Sequence, residues 1–351
     1  MPKLIFTSLL RILAVSSALT PALAAEPPAP ADGAFKGKTV SIYVGGTAGG
    51  GIDVGGRLIA RYIGKYLPGH PTVIAQNMPG AGGVRLLEYL ASVAPKDGTV
   101  LGAFASGPLL DPILSTRKVN YKMTDFAAIG AIEKDVSFCT TWHASPVKTF
   151  EDTKTRETTV AGTGAASTTD IYPVVLNAVL GSKFRVITGY MGTQETIMAV
   201  ERGETDGRCG WGWASLKSSK PDWLRDKKLN FIVQLGLSKN KEAQDVPLAI
   251  DLAKSEDDKQ VLRVLFAPLM MTRPYFAAPG TQPARIAELR KAFMAALADP
   301  GAIEELIKTV GERPDSTPGE EMQKLVADIY NSPEPVLARL KAIVTEGMKG
   351  N

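Results

Sequence analysis

Residues 39–53 read TVSIYVGGTAGGGID, and the order of residue types in them sets the fold class. The first six, TVSIYV, are β-branched and aromatic and predict a strand. A glycine-rich loop fills 45–51. Beyond it Val54, Leu58, Tyr62 and Tyr66 recur every four residues, which predicts one stripe of a helix, ended by Pro68-Gly69. Residues 71–75, PTVIA, predict the next strand. Strand, loop, helix and strand in that order build a parallel sheet with helices on its faces.

The unit recurs along the chain. A helix over 83–94 leads to a strand over 99–104, then to a loop with Ser106, Gly107 and Pro108. Strands over 127–132 and 136–141 open a second set. There a strand at 157–161, a Gly/Ser/Thr loop at 162–169 and a helix near 170–180 follow one another. A strand at 184–188, a helix from Glu195 to Arg202 and strands near 206–211 and 230–236 complete it. The end of the chain is helical. Pro283 opens a helix with Ile286, Leu289, Phe293 and Leu297 on one face, and Asp299-Pro300 stops it. Ile303, Leu306, Ile307 and Val310 mark another. Thr317, Pro318 and Glu320 predict a capping box ahead of Met322, Leu325, Val326 and Ile329.

At 351 residues the chain can hold two lobes with ordinary cores. A hydrophobic share of 44% against 22% charged is globular. The formal charge of +4 is too small and dispersed for a nucleic-acid surface. Two of those charges, Lys3 and Arg11, head a short apolar run that Pro21 breaks before Ala22-Leu23-Ala24-Ala25. That layout predicts a cleaved signal peptide over 1–25, because the run is far below the roughly 20 apolar residues of a membrane span. Export carries Cys139 and Cys209 into an oxidising compartment. An even pair there favours a disulfide, the other reading being two buried thiols.

The loops carry the chemistry. Residues 45–53 lie between a strand and a helix, so positive φ is open to the glycines and the helix start offers N–H groups to an anion. Asp53 reads as the cap of that helix. The Walker pattern and the dinucleotide pattern both fail here, since Gly51 is followed by Ile52 and Val54 stands where a glycine is needed. Residues 77–83 shape a cleft edge or a plain turn. Residues 162–169 repeat the strand–loop–helix arrangement with hydroxyls added. Thr193 reads as a cap. In 206–213 the alternation of Cys209, Trp211 and Trp213 reads as core packing before a ligand wall. Neither 45–52 nor 162–169 holds a basic residue, so a carboxylate is expected to be held mainly by backbone amides rather than by a buried Arg or Lys. With only His70 and His143, no zinc spacing and no G-x-S-x-G elbow, nothing points to an enzyme.

These segments resemble the tripartite tricarboxylate transporter receptors, the Bug family of periplasmic solute-binding proteins. The resemblance runs from about Val40 to Ile329. It is carried by YVGGTAGGGID (43–53), QNMPGAGG (76–83), APKDGTVLG (94–102), GTGAAST (162–168), GYMGTQE (189–195), RGETDGR (202–208), APGTQPARIAELRKAF (278–293) and ALADP (296–300). It implies a bilobal α/β fold of the type II periplasmic-binding-protein class, with two mixed or parallel sheets flanked by helices. Residues 35–132 and 270–351 would form lobe 1, and residues 133–269 lobe 2. The resemblance implies a small carboxylate in the interdomain cleft, touched by Gly46, Thr47, Ala48, Ser106, Thr163, Gly164, Ala165, Ser167 and Asp206. It also places the strands of Cys139 and Cys209 near each other. No cofactor, metal or nucleic acid is implied. The expected partners are membrane transporter subunits, and the expected state is a monomer. A sensory receptor for a membrane kinase and a periplasmic enzyme on the same fold are the alternatives. Three departures bear on the ligand. Gly45 and Gly46 replace the usual Pro and Phe after the first strand, Asp170 replaces a common histidine, and 245–271 lacks the usual Pro-Thr start.

Overall fold

The computed structural model describes Met1 and residues 33–164, 167–310, 313 and 315–349. The expected signal peptide lies outside the described residues apart from Met1. Eleven strands and fourteen α-helices alternate through the described chain. The first half holds β1 (Thr39–Val44), α1 (Gly51–Ile63), β2 (Thr72–Asn77), α2 (Val84–Ser92), β3 (Val100–Ala103), α3 (Asp111–Leu114) and β4 (Ala127–Glu133). Next come β5 (Ser137–Trp142), α4 (Phe150–Thr155), β6 (Thr158–Ala161), α5 (Thr168–Leu180), β7 (Phe184–Ile187), α6 (Thr193–Glu201) and β8 (Gly207–Gly212). Then follow α7 (Trp213–Ser219), α8 (Pro221–Arg225), β9 (Leu229–Leu235), α9 (Ala249–Leu252), α10 (Glu256–Phe266) and β10 (Thr272–Ala277). The chain finishes with α11 (Pro283–Leu297), α12 (Pro300–Val310), β11 (Thr317–Pro318), α13 (Gly319–Tyr330) and α14 (Glu334–Gly347).

Two sheets result. One has the order β11-β4-β10-β3-β1-β2 and the other β7-β6-β8-β5-β9. In the first, β1 runs parallel to both β2 and β3, while β10 is antiparallel to β3 and β4. In the second, β6 runs parallel to β7 and β8, while β5 is antiparallel to β8 and β9. Each parallel triplet sends its carboxyl ends to one sheet edge, the usual place for a ligand in open α/β sheets. The chain leaves the first sheet after β4 and returns to it at β10. The last helix, α14, lies against α5 and α10, and Gly347 makes that approach close: a Cβ there would stand 2.1 Å from Val174 Cγ1.

Helix α1 seats on a face that keeps Leu58 of the predicted stripe but is turned away from the rest of it. Its fully buried apolar side chains are Leu58, Ile59 and Ile63. Val54, Tyr62 and Tyr66 lie half-buried at the border. The cause is the pair Gly55-Gly56. A Cβ at Gly56 would meet Val44 Cγ2 at 2.6 Å, and one at Gly55 would meet Ile132 Cδ1 at 2.9 Å, so the bare backbone is the contact surface. The two tyrosines bond outward to α12 and its approach: Tyr62 to Glu305 at 2.8 Å and Tyr66 to Asp299 at 2.7 Å.

The capping box at Thr317 does not form. Thr317 is buried in β11 opposite Ala131, and its hydroxyl donates to Met270 O at 2.6 Å. Pro318 holds the cap position of α13 without a side-chain bond. Sheet pairing took the threonine that a free helix end would have used. Ile307 of the α12 stripe is 44% exposed, unlike the buried Leu306 beside it. No helix among the described residues is long and apolar enough to cross a membrane.

Candidate functional site

At the first sheet edge three loops meet: 45–50 after β1, 78–83 after β2 and 104–107 after β3. Glycines make the meeting possible. A Cβ at Gly45 would lie 3.1 Å from Phe104 Cβ and 3.2 Å from Gly83 Cα. Loop 46–49 is held from below. Asp53, buried, accepts from Gly49 N at 2.9 Å, from Arg57 Nε at 2.9 Å and from Asn77 Nδ2 at 2.8 Å. Asn77 Nδ2 also donates to Gly46 O at 3.0 Å. Burial alone would push the Asp53 carboxyl up, but these donors outweigh it and hold it below the usual carboxylate range. Asp53 is therefore a loop clamp and not the helix cap. Gly50 takes the cap position, with no side chain to offer.

With the loop so held, Thr47 and Ala48 are exposed. The N–H groups of Gly46, Thr47 and Ala48 find no acceptor among the described residues. The first turn of α1 adds its own unsatisfied N–H groups and the positive dipole end. Ser106 is buried and begins the tight turn Gly107–Leu110, its carbonyl accepting from Leu109 N at 3.1 Å.

The second edge carries the segments 162–164 and 188–192, joined by Tyr190 N donating to Gly162 O at 3.2 Å. Here the amides are already engaged. Thr163 N donates to Thr169 Oγ1 and Gly164 N to Asp170 Oδ1, each at 3.0 Å. Ser167 Oγ donates to the same Asp170 oxygen at 2.9 Å and lies 2.7 Å from Thr169 Oγ1. Asp170, buried, thus sits where an anion would meet the loop. Ala165 lies outside the described residues. Asp206 is on the strand side of this loop, with Oδ2 accepting from Thr159 N at 2.8 Å and Thr159 Oγ1 at 2.7 Å. Thr193 is the first residue of α6 and not its cap, which is Gly192.

A cavity of about 400 Å³ lies beside the first edge, and none of Gly46, Thr47, Ala48, Ser106, Thr163, Gly164, Ser167 and Asp206 lines it. Its walls include Ala81 and Pro108 from the first edge, Ile171 from the first turn of α5, and Met348 beyond α14. Arg117, also on its wall, is already paired with Glu88 at 2.8 Å and Asp111 at 2.6 Å.

Beneath the second edge the expected core packing holds. Trp211 and Trp213 are buried with Phe138 and Trp223, so neither forms a ligand wall. Cys139 and Cys209 form the disulfide on the opposite face of β5 and β8, closing a separation of 70 residues. The sequence reading passed over Arg208. It is buried, stacked with its guanidinium 5.1 Å from the Trp211 ring centre, and without a carboxylate partner among the described residues. The signal was available: a charged residue inside a strand of Cys, Gly and Trp.

Among the described residues no group of three or more His, Cys, Asp or Glu side chains is placed to hold a metal ion. His143 packs on Trp142, with ring centres 4.9 Å apart, and His70 is exposed in its turn.

A family model described as the tripartite tricarboxylate transporter family receptor matches residues 57–341. A Cupriavidus necator protein named UPF0065 protein in gbd 5′ region is 27% identical over 309 residues, 85% of each chain. Solved structures of similar fold include MatC from Rhodopseudomonas palustris with bound malate, at 20% identity and TM-score 0.63 over 87% of this chain and 98% of that one. The periplasmic binding protein BugD superposes at 19% identity and TM-score 0.64, over 88% and 97%. An R. palustris protein with adipate does so at 17% and 0.64, over 88% and 97%. At such identities the likeness is one of fold: α/β, with two mixed sheets flanked by helices.

Proposed function

The chain belongs to the tripartite tricarboxylate transporter receptor family, and from that premise we propose that it is an exported solute-binding protein that captures a small carboxylate and catalyses nothing. Residues 35–132 with 270–351, and residues 133–269, act as two lobes, and the ligand lies between their facing edges. A signal peptide over 1–25 directs the chain to the periplasm. The loaded monomer delivers its ligand to membrane transporter subunits.

The observation that supports this best is the loop of Gly46, Thr47 and Ala48, clamped by Asp53 and Asn77 with its N–H groups unpaired. Fixed, unsatisfied donors at a helix start suit a carboxylate without a formal counter-charge. Ser106 closes the same edge. From the second lobe the expected contacts are Thr163, Gly164, Ala165 and Ser167, and a carboxylate there must first displace Thr169 and Asp170 from Thr163 N, Gly164 N and Ser167 Oγ, while Asp206 holds β6 in place through Thr159. Bound malate and adipate in proteins of similar fold agree with this ligand class. A few charge-assisted bonds of about 1.5–3 kcal/mol each suffice for micromolar binding, about −8 kcal/mol, after association costs.

Calorimetry with a panel of mono- and dicarboxylates, their amides and neutral sugars tests the reading. Carboxylates should bind and their amides should not. Tight binding of a neutral sugar with no carboxylate bound overturns it. Recovery of the ligand unchanged after prolonged incubation checks the absence of turnover.

A further inference from the structure

Gly51 and Gly55 stand one turn apart on α1, so the strip they share is bare backbone. Arg273 runs along that strip. A Cβ at Gly55 would stand 3.4 Å from Arg273 Cδ, and one at Gly51 would stand 3.6 Å from Arg273 Nη2 and 3.9 Å from its Nε. The guanidinium therefore ends at the first turn of α1, beside the loop of Gly46, Thr47 and Ala48. Arg273 has φ of +55°, a conformation disfavoured for a residue with a side chain and more so before a proline such as Pro274. Strain held in place marks a side chain whose direction matters.

Its partner stands at the same sheet edge. Strand β10 is antiparallel to both β3 and β4, and β1 is parallel to β3, so β4 ends where β1 ends and β10 begins there. Arg273 Nη2 lies 3.4 Å from Glu133 Oε1 at the end of β4, with the two side chains only 10% and 4% exposed. Asp135, two residues on, lies within electrostatic reach of both. Lys134 between the acids turns to Glu321 at 3.2 Å. The acid under the loop itself, Asp53, has Arg57 for its cation, but Arg57 is 45% exposed and screened by solvent. A charge as enclosed as that of Arg273 acts through a medium of lower dielectric and is felt further.

We infer that Arg273 is a positioning residue for carboxylate capture: from beneath the first turn of α1 it offsets Glu133 and Asp135, so that the amides of loop 46–48 meet an anion without opposing charge behind them. This rests on the carboxylate reading above and deepens it by naming the residue that sets the loop's preference for negative charge. Arg273 acts through the helix start and not by contact with the ligand. Two effects of opposite sign result. Removing the cation leaves the acids to repel a carboxylate, and removing Glu133 leaves the cation in excess.

Calorimetry with acetate, malate and adipate tests this on wild type, Glu133→Gln, Arg273→Met and Arg273→Lys, with thermal melts to establish folding. At pH 8 Asp135 is above its value of about 7 and so carries its charge in wild type and Glu133→Gln alike. Glu133→Gln should bind the carboxylates about 3- to 10-fold more tightly than wild type, and Arg273→Met about 10-fold more weakly. Arg273→Lys keeps the charge and should recover most of that loss. A purely structural ion pair predicts loss from either side, because each variant breaks the same pair. Unchanged or weaker binding in Glu133→Gln therefore overturns the inference, whether or not Arg273→Met folds. A folded Arg273→Met that binds as wild type does overturns it as well, and so does a loss in Arg273→Lys as large as that in Arg273→Met. These three results leave the proposed function intact. Wild type that binds none of the carboxylates removes the proposed function, and this inference with it.

Discussion

Asn77 Nδ2 lies 2.8 Å from Asp53 Oδ1, and through that bond the end of β2 fixes the loop that leaves β1. Arg57 closes the group by bonding Asp53 Oδ2 and Asn77 Oδ1, each at 2.9 Å. The N–H groups of Gly46, Thr47 and Ala48 are thereby held without an acceptor among the described residues.

Asp53→Ala should break this clamp. The loss of several bonds to a buried carboxylate should lower stability by about 2–4 kcal/mol and weaken carboxylate binding. Urea unfolding and calorimetry measure the two effects. The pH dependence has a definite sign. The folded carboxyl is held below its unfolded value, so its stabilisation is full above about pH 4 and is lost as pH falls through the folded value. Asp53→Asn removes that titration, so its stability should fall less steeply on acidification. Acid limbs of equal slope in wild type and variant would show that Asp53 is not the group responsible.

Gly49 and Gly164 have φ of +77° and +131°, and a Cβ at either would meet nothing within 4 Å. The cost of a side chain there is backbone strain and a covered approach, without crowding. Gly49→Val and Gly164→Val should each destabilise by about 1–3 kcal/mol and reduce ligand affinity more than Ser167→Ala does. Normal folding and normal binding in both valine variants would mean that the ligand does not approach the backbone at these loops.

Residues 39–53 carried the architecture because strand, glycine loop and helix differ in residue type over a short span. The site was less legible where tertiary pairing chose the partner. Asp53 looked like a cap in sequence, but Gly50 occupies the cap position and the carboxylate turns to Asn77, 24 residues away. Thr317 and Glu320 have capping-box spacing, yet β4 recruited the threonine into the sheet. Glycines 55 and 56 hid the packing face of α1 because they have no side chain to mark it. Arg208 escaped notice because nothing in sequence reports whether a buried guanidinium has a carboxylate beside it.

The Cys139–Cys209 bond should be present in protein from an oxidising compartment. Denatured, unreduced protein should titrate no free thiol, and reduction should release the pair. Loop closure over the 70-residue separation corresponds to roughly 4 kcal/mol in the chain-entropy model. The double variant Cys139→Ala with Cys209→Ala should lose up to that amount in urea unfolding. Two thiols found before reduction would exclude the bridge.

Asp135 sets the last prediction. It stands on the passage between β4 and β5, accepting from Val136 N at 2.8 Å and Trp213 N at 3.1 Å. Burial first, and then the like charge of Glu133, push its carboxyl up to about 7, against the pull of the backbone donors and Arg273. A folded value above the unfolded one means that the native state takes up the proton first. The protonated form therefore contributes its full stability below about pH 4, and that contribution is lost as pH rises through about 7. Asp135→Asn keeps an oxygen for the two amides and carries no charge. Its melting temperature relative to wild type should climb from about pH 4 to 7 and then level off, leaving the variant more stable at pH 8. Thermal melts of both proteins across this range decide it. A constant difference at every pH would show that Asp135 is already ionised in the folded protein throughout the range, and that the surrounding amides and Arg273 outweigh burial and Glu133.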